Sequence, residues 1–249
     1  MCGIAGIYSN NQDTLPFEIR KMLYLIKHRG RDSRGIYSDQ NFYLGHLRLA
    51  TMDLSDHGAQ PMSVDGRYWI SFNGDIYNFV EIKKELQEKG IKFYTNTDTE
   101  VILQSFKKFG EQCLKKFNGE WFFVIYDNEK KEIFLSNDRF SSKPFYYYHK
   151  NNKFAFCSEL KGFYGLNENL EICENNILTN PFFLTESNCK SFFKSIYQIP
   201  PGYNLTYNIK LNTIKMNRWW NTIDEIPKIS VNDKEQIDEY KELFQNSCE

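Results

Sequence analysis

Four histidines in 249 residues, and six cysteines of which no two stand at C-x-x-C spacing, leave the chain without a zinc-ligand pattern or a dithiol redox motif. There is no G-x-x-x-x-G-K-[ST] run and no glycine-rich strand-to-helix turn, so neither of the common nucleotide-phosphate loops is present. No stretch of about 18 apolar residues exists, and no membrane partner is expected. Charge of neither sign dominates: 31 Lys plus Arg face 32 Asp plus Glu, a formal net charge of -1. That balance provides no footprint for a nucleic-acid partner. The opening lacks a basic segment followed by an apolar run, so no secretory signal is expected. A reducing cytoplasm is the expected setting, and it keeps thiols free.

What the chain has is aromatic bulk: 21 Phe and 16 Tyr against 5 Met, within an apolar content of 41%. These rings fill a large, rigid core. The periodicity predicts a first strand in the opening residues through Tyr8 with Cys2 at its very start, a polar turn at 10–16 and a helix at 17–27 carrying Ile19, Met22, Leu23 and Ile26 on one side. Strands follow around 36–37, 42–49 and 68–72, the last stopped by Asn73-Gly74-Asp75. Asn78 is placed to cap the next helix, with Glu81 at N3 and Gly90 after its end. Thr97 and Glu100 stand at capping-box spacing before a stripe of Ile102, Leu103, Phe106 and Phe109. From Glu120 the period changes from helical to strand-like, with hairpins turning at 127–130 and 151–152. Residues 137–144 read as a loop too polar for a core, 165–200 as irregular, and 234–245 as a helix after a linker. Many short hairpin-joined strands with helices between them point to two antiparallel sheets with helices outside, an α+β fold.

The second residue organises the functional reading. If Met1 is removed, the thiol and the free α-amine belong to one residue, Cys2, and the amine, titrating near 8, can take the proton of its own nucleophile. Arg48, set among apolar residues in a strand pattern, needs an anionic partner or access to solvent. Cys113, Cys157, Cys173 and Cys189 read as core or surface thiols without a reactive role.

Several motifs, in order, are shared with a known family: Met1-Cys2-Gly3-Ile4-Ala5-Gly6-Ile7, His28-Arg29-Gly30, Asn73-Gly74-Asp75-Ile76-Tyr77-Asn78, Thr97-Asp98-Thr99-Glu100, Asp138-Arg139-Phe140 with Lys143-Pro144, and Pro200-Pro201-Gly202 with Arg218-Trp219-Trp220. The sequence resembles the glutaminase domain of asparagine synthetase-like proteins, a class II glutamine amidotransferase. The resemblance implies a four-layer αββα sandwich of the N-terminal-nucleophile hydrolase fold. It implies a glutaminase domain over 2–220, and 221–249 as a linker and the start of a synthetase domain outside the sequence.

It implies further that Cys2 attacks the side-chain amide of L-glutamine, and that Asn73 and Gly74 form the oxyanion hole. Arg48 then holds the substrate carboxylate, Asp98 its ammonium group, and Asp75 lies near that amine. Arg29 and its neighbours are expected to support the loop over the site. No cofactor is expected for this domain; ATP and Mg2+ belong to the synthetase domain that would receive the ammonia. An acceptor other than aspartate, such as a sugar or peptide carboxylate, is the alternative, and retention of Met1 would favour a non-catalytic regulatory role. A hydrolase of N-acyl or peptide amides fits less well, because Arg48 with Asp98 reads a free amino acid. The chain departs from the family pattern at Arg31, at Ser33-Arg34, at Leu47, where a first arginine is usual, and at Asp75, where glutamate is usual.

Overall fold

Period-two alternation decides the centre of the molecule. The computed structural model describes residues 1–10, 13–174, 191–226 and 232–248. In β5 (Gly119–Asp127), Trp121, Phe123 and Ile125 enter one apolar layer while Phe122, Val124 and Tyr126 enter another. In β1 (Gly3–Ser9), Ile4 and Tyr8 join the second layer while Ala5 and Ile7 face a third. Each sheet is thus apolar on both faces, and each must be covered twice.

The first sheet has six strands in the order β2-β3-β1-β8-β7-β9, where β2 is Ser33–Asp39, β3 Phe42–Arg48, β7 Tyr146–Lys150, β8 Lys153–Cys157 and β9 Ile196–Gln198. The second runs β11-β10-β6-β5-β4, where β4 is Tyr68–Ile76, β6 Glu132–Asn137, β10 Tyr203–Asn208 and β11 Thr213–Arg218. All the strand pairs are antiparallel. Between the sheets lies the aromatic layer that includes Phe42, Phe122, Phe145, Phe154, Phe156 and Tyr207. Gly6 makes room for it: a Cβ there would lie 2.1 Å from the Phe156 ring. Helix α1 (Leu15–Leu25) covers the first sheet with Leu15, Ile19, Met22 and Leu23. Helices α2 (Phe79–Glu88) and α3 (Asp98–Phe109) cover the second with Ile82, Leu86, Val101, Ile102 and Leu103. The expected αββα sandwich is therefore the observed one.

Local details differ from the sequence reading for identifiable reasons. Helix α1 begins at Leu15, because Pro16 sits in its first turn, where a missing N–H is no loss. Asn78 precedes α2 but makes no side-chain cap; its amide instead donates to the Lys116 carbonyl and accepts from the Asn118 N–H, fastening the entry to β5. Asp138, read as part of a polar loop, is buried, its carboxylate accepting the N–H groups of Trp121, Phe140 and Ser142. Strand β9 was unexpected, lying in the stretch read as irregular. Cys189 lies outside the described residues, as do 227–231 of the expected linker. The tail continues in α4 (Asp233–Cys248).

One buried ion pair joins α1 to β8. Glu18, almost fully buried, contacts Lys153 at 3.2 Å and accepts from the Thr14 hydroxyl at 2.5 Å, and Lys153 also pairs with Glu168 at 3.0 Å. Removing one partner leaves a buried charge poorly compensated. Glu18→Ala is expected to lower the unfolding free energy by about 3 kcal/mol. Glu18→Leu combined with Lys153→Met is expected to recover most of it. Urea denaturation of the three proteins checks both.

Candidate active site

The alternation that builds the core also gathers polar groups at one end of the inter-sheet layer. Phe42 and Leu44 of β3 face that layer, so His46 and Arg48 share their side. In β4, Ile70, Phe72 and Ile76 face the helices, which turns Ser71, Asn73 and Asp75 toward the first sheet. Gly3 of β1 is in register with Leu47, which brings Cys2 beside Arg48. The resulting cleft is lined by Cys2, Arg48, Gln60, Gly74, Asp75 and Asp98, among others. Five of the six residues expected from the sequence line this one cleft; the sixth, Asn73, is buried and directly precedes Gly74.

Cys2 Sγ accepts from the Leu49 N–H at 3.4 Å. Burial pushes its thiol above the ordinary value, and the Leu49 N–H, the terminal ammonium, Arg48 and Arg29 oppose that rise. Burial thus favours the protonated thiol over the thiolate. Arg29 reaches the backbone of Cys2: its Nε donates to the Cys2 carbonyl at 2.9 Å, and its other end pairs with Glu159 at 3.0 Å. Glu159 also contacts His28 at 2.8 Å and Lys161 at 3.1 Å.

Arg48 is buried, yet no carboxylate pairs with it among the described residues. Its guanidinium donates to the carbonyls of Ser55, at 2.7 Å, and Asp53. Gly58 is packed against it so closely that a Cβ would lie 2.2 Å from the guanidinium. Neutral carbonyls orient the fork without cancelling its charge, which leaves the site electrostatically open to an anion. The opposite charge comes from Asp98, at the N-terminus of α3 beyond its Thr97 cap. Its Oδ2 accepts the Ile76 N–H at 3.1 Å. Burial, with Asp75 nearby adding repulsion, pushes its pKa up to about 6 against the backbone hydrogen bonds.

Further donors come from the outer edge of the second sheet. β4 ends the second sheet, and Gly74 stands opposite Trp121, whose own N–H and C=O are both engaged by Asp138. The peptide groups of Ile70, Phe72, Gly74 and Ile76 accordingly point off the edge. Those of Ile70 pair with Met62, Phe72 bonds Gln60 and His46, and the Ile76 N–H bonds Asp98. For the Gly74 N–H no partner is found among the described residues. Gly74 has φ +154, and a Cβ there would lie 2.1 Å from the Glu120 carbonyl, so only glycine fits. Beside it Asn73 is buried with its Nδ2 unpaired. Asn73 Nδ2 and the Gly74 N–H are thus two donors on adjacent residues without acceptors among the described residues.

The sequence reading did not single out Gln60, Leu49 or Glu159. The contacts of Gln60 are with residues 12 and 39 positions away, beyond the reach of any local pattern.

A model of the glutamine amidotransferase domain matches residues 1–220. The chain belongs to the class II glutamine amidotransferase domain family. The domain is 38% identical to putative asparagine synthetase [glutamine-hydrolyzing] 2 of Methanocaldococcus jannaschii, over 98% of this chain and 51% of that protein. It is 30% identical to amidase chry2 of Gibberella zeae, over 82% of this chain and 32% of that protein. The chain thus spans about half, or less, of the length of these relatives. In fold it resembles the glutamine phosphoribosylpyrophosphate amidotransferase of Bacillus subtilis, with a TM-score of 0.66 at 19% identity, over 88% of this chain and 49% of that one. Among the described residues, no helix is long and apolar enough to cross a membrane and no cluster of three or more metal-ligating side chains occurs.

Proposed function

We propose that this domain hydrolyses L-glutamine through a Cys2 thioester and supplies the ammonia to an ATP-dependent synthetase unit. The observation that carries the reading is the make-up of the cleft: a buried arginine with no carboxylate partner among the described residues, a buried aspartate and one thiol, with Gly74 in its lining and the unpaired Asn73 amide on the preceding residue. With Met1 removed, the α-amine of Cys2 takes the thiol proton as Sγ bonds to the amide carbon. The carbonyl electron pair moves onto oxygen, and the oxyanion is held by Asn73 Nδ2 and the Gly74 N–H. Collapse breaks the C–N bond, the α-ammonium returns the proton to nitrogen, and ammonia leaves. Water then attacks the γ-glutamyl thioester, held by the same donors, to give glutamate and free thiol. Arg48 pairs with the substrate α-carboxylate and Asp98 with its ammonium, while Asp75 adds negative charge on the amine side.

Residues 221–249, beyond the family match, lead toward the synthetase unit in this reading, and ATP and Mg2+ belong to that unit. Aspartate is the proposed acceptor, on the strength of the similarity to the M. jannaschii protein. Similarity to amidase chry2 supports a second reading, in which another carboxylate is amidated. A reducing cytoplasm is the proposed setting.

The test is intact mass with an ammonia-release assay. The expected result is loss of Met1, glutamine hydrolysis, and labelling of Cys2 alone by an irreversible glutamine-analogue electrophile. Arg48→Ala is expected to raise the KM for glutamine about 100-fold with a smaller change in kcat, because the carboxylate contact is alike in ground and transition states. Unchanged saturation by glutamine in that variant would remove the carboxylate role.

A further inference from the structure

Phe72 precedes the two oxyanion donors, and both of its outward peptide groups are held by side chains. Its N–H donates to Gln60 Oε1 at 2.7 Å, and its carbonyl accepts from His46 Nε2 at 3.1 Å. Both residues are buried, His46 completely. One step earlier on the same edge, Ile70 is satisfied by backbone pairing with Met62; at Phe72 that pairing has ended and side chains take over. The other amide group of Gln60 continues to the Thr99 hydroxyl at 3.1 Å, one residue past Asp98. His46 stands two residues before Arg48 on the same face of β3. The strand bearing Arg48, the strand bearing Asn73 and Gly74, and the helix bearing Asp98 are therefore tied together at the Phe72 peptide.

We propose that Gln60 and His46 are positioning residues for the oxyanion hole, holding the Phe72 peptide so that Asn73 Nδ2 and the Gly74 N–H converge on the developing charge. The proposal rests on the glutaminase reading. Gly74 has no side chain to anchor it, so its direction depends on the residues that flank it. His46 does not serve as a base: burial pushes its pKa down to about 4, and its Nε2–H is committed to a carbonyl, which leaves the ring neutral. The contribution of such donors depends on placement, and a shift of about 1 Å costs about 100-fold in rate.

The test compares a tetrahedral adduct with the product. L-Glutamate γ-semialdehyde adds to Cys2: Sγ bonds the aldehyde carbon, the carbonyl pair moves to oxygen, and the thiol proton passes to the α-amine. That adduct needs the oxyanion hole, whereas L-glutamate binding needs mainly Arg48 and Asp98. His46→Leu and Gln60→Met are each expected to lower kcat about 10- to 100-fold and to weaken the semialdehyde by the same factor, with L-glutamate binding changed less than about threefold. His46→Gln, which keeps an N–H donor near the same position, is expected to hold kcat within about threefold of wild type. Thermal melts confirm folding, and if His46→Leu does not fold, Gln60→Met decides. Wild-type kcat in these variants, or equal weakening of semialdehyde and glutamate, overturns the proposal alone. A wild-type domain, Met1 removed, that neither releases ammonia nor forms the adduct overturns both readings.

Discussion

Replacing Cys2 by alanine is expected to abolish ammonia release from glutamine, a fall of about 10⁴-fold or more, while leaving the melting temperature nearly unchanged. The thiol is the most nucleophilic group lining the cleft, and its side chain adds little to the apolar layers built by Ile4 and Ala5. Serine is expected to fail almost as completely. The environment of Cys2 tempers a thiol that burial has made less acidic, through the Leu49 N–H and the charges of Arg48 and Arg29. It does not suffice to ionise a hydroxyl. Glutamine binding, measured by calorimetry, is expected to persist in both variants because Arg48 and Asp98 remain.

The same reasoning makes the state of the N-terminus decisive. Met1 is 60% exposed, so its removal disturbs no core packing. A residue left ahead of Cys2 turns the base into an amide nitrogen, which cannot accept the thiol proton. A version of the domain with a short, protease-cleavable extension before Cys2 is expected to be inactive until cleavage frees the amine. Full activity with the extension intact would refute the amine as base.

Much of this arrangement was legible in the sequence, and the boundary is physical. The alternation of Trp121 to Tyr126 announces a strand buried on both faces, because side-chain direction follows a local period. The Thr97 cap was legible for the same reason, since its Oγ1 accepts the N–H of Glu100 only three residues on. Glu100, however, turns its carboxylate to the N–H groups of Tyr94 and Thr95, and so fixes the approach to Asp98. Of the site, Cys2 and Arg48 were singled out by their own chemistry, while Asn73, Gly74, Asp75 and Asp98 were reached through motif resemblance. What remained hidden depends on the sheet edge. That β4 is an outer strand, that Gly74 points away from β5, and that Gln60 and His46 hold Phe72 are facts of strand order and long-range register. Arg29 illustrates the same limit, since its partners Cys2 and Glu159 lie 27 and 130 residues away.

Asp98→Asn is expected to lower kcat/KM for glutamine at least 100-fold and, at the same time, to stabilise the domain. Burial raises the Asp98 pKa from 3.8 to about 6, so folding disfavours its charged form. The native state then binds the proton more tightly than the unfolded chain, and stability contributed by this group falls as pH rises from about 4 to about 6. Above that window the penalty is complete: the gap between 3.8 and about 6, at about 1.4 kcal/mol for each pH unit, amounts to about 3 kcal/mol. Asparagine removes the charge and keeps an oxygen for the Ile76 N–H, so urea denaturation at pH 7 is expected to show a gain of about 2 kcal/mol that fades toward pH 4. In the proposed mechanism the substrate ammonium offsets the cost of the ionised form. In the wild type, kcat/KM is expected to fall with an additional proton dependence below about pH 6, in the free domain, as Asp98 protonates. In Asp98→Asn that additional loss is expected to be absent. An unchanged acid limb in the variant, or a variant no more stable than wild type at pH 7, would mean that Asp98 is not the buried anion awaiting the substrate amine.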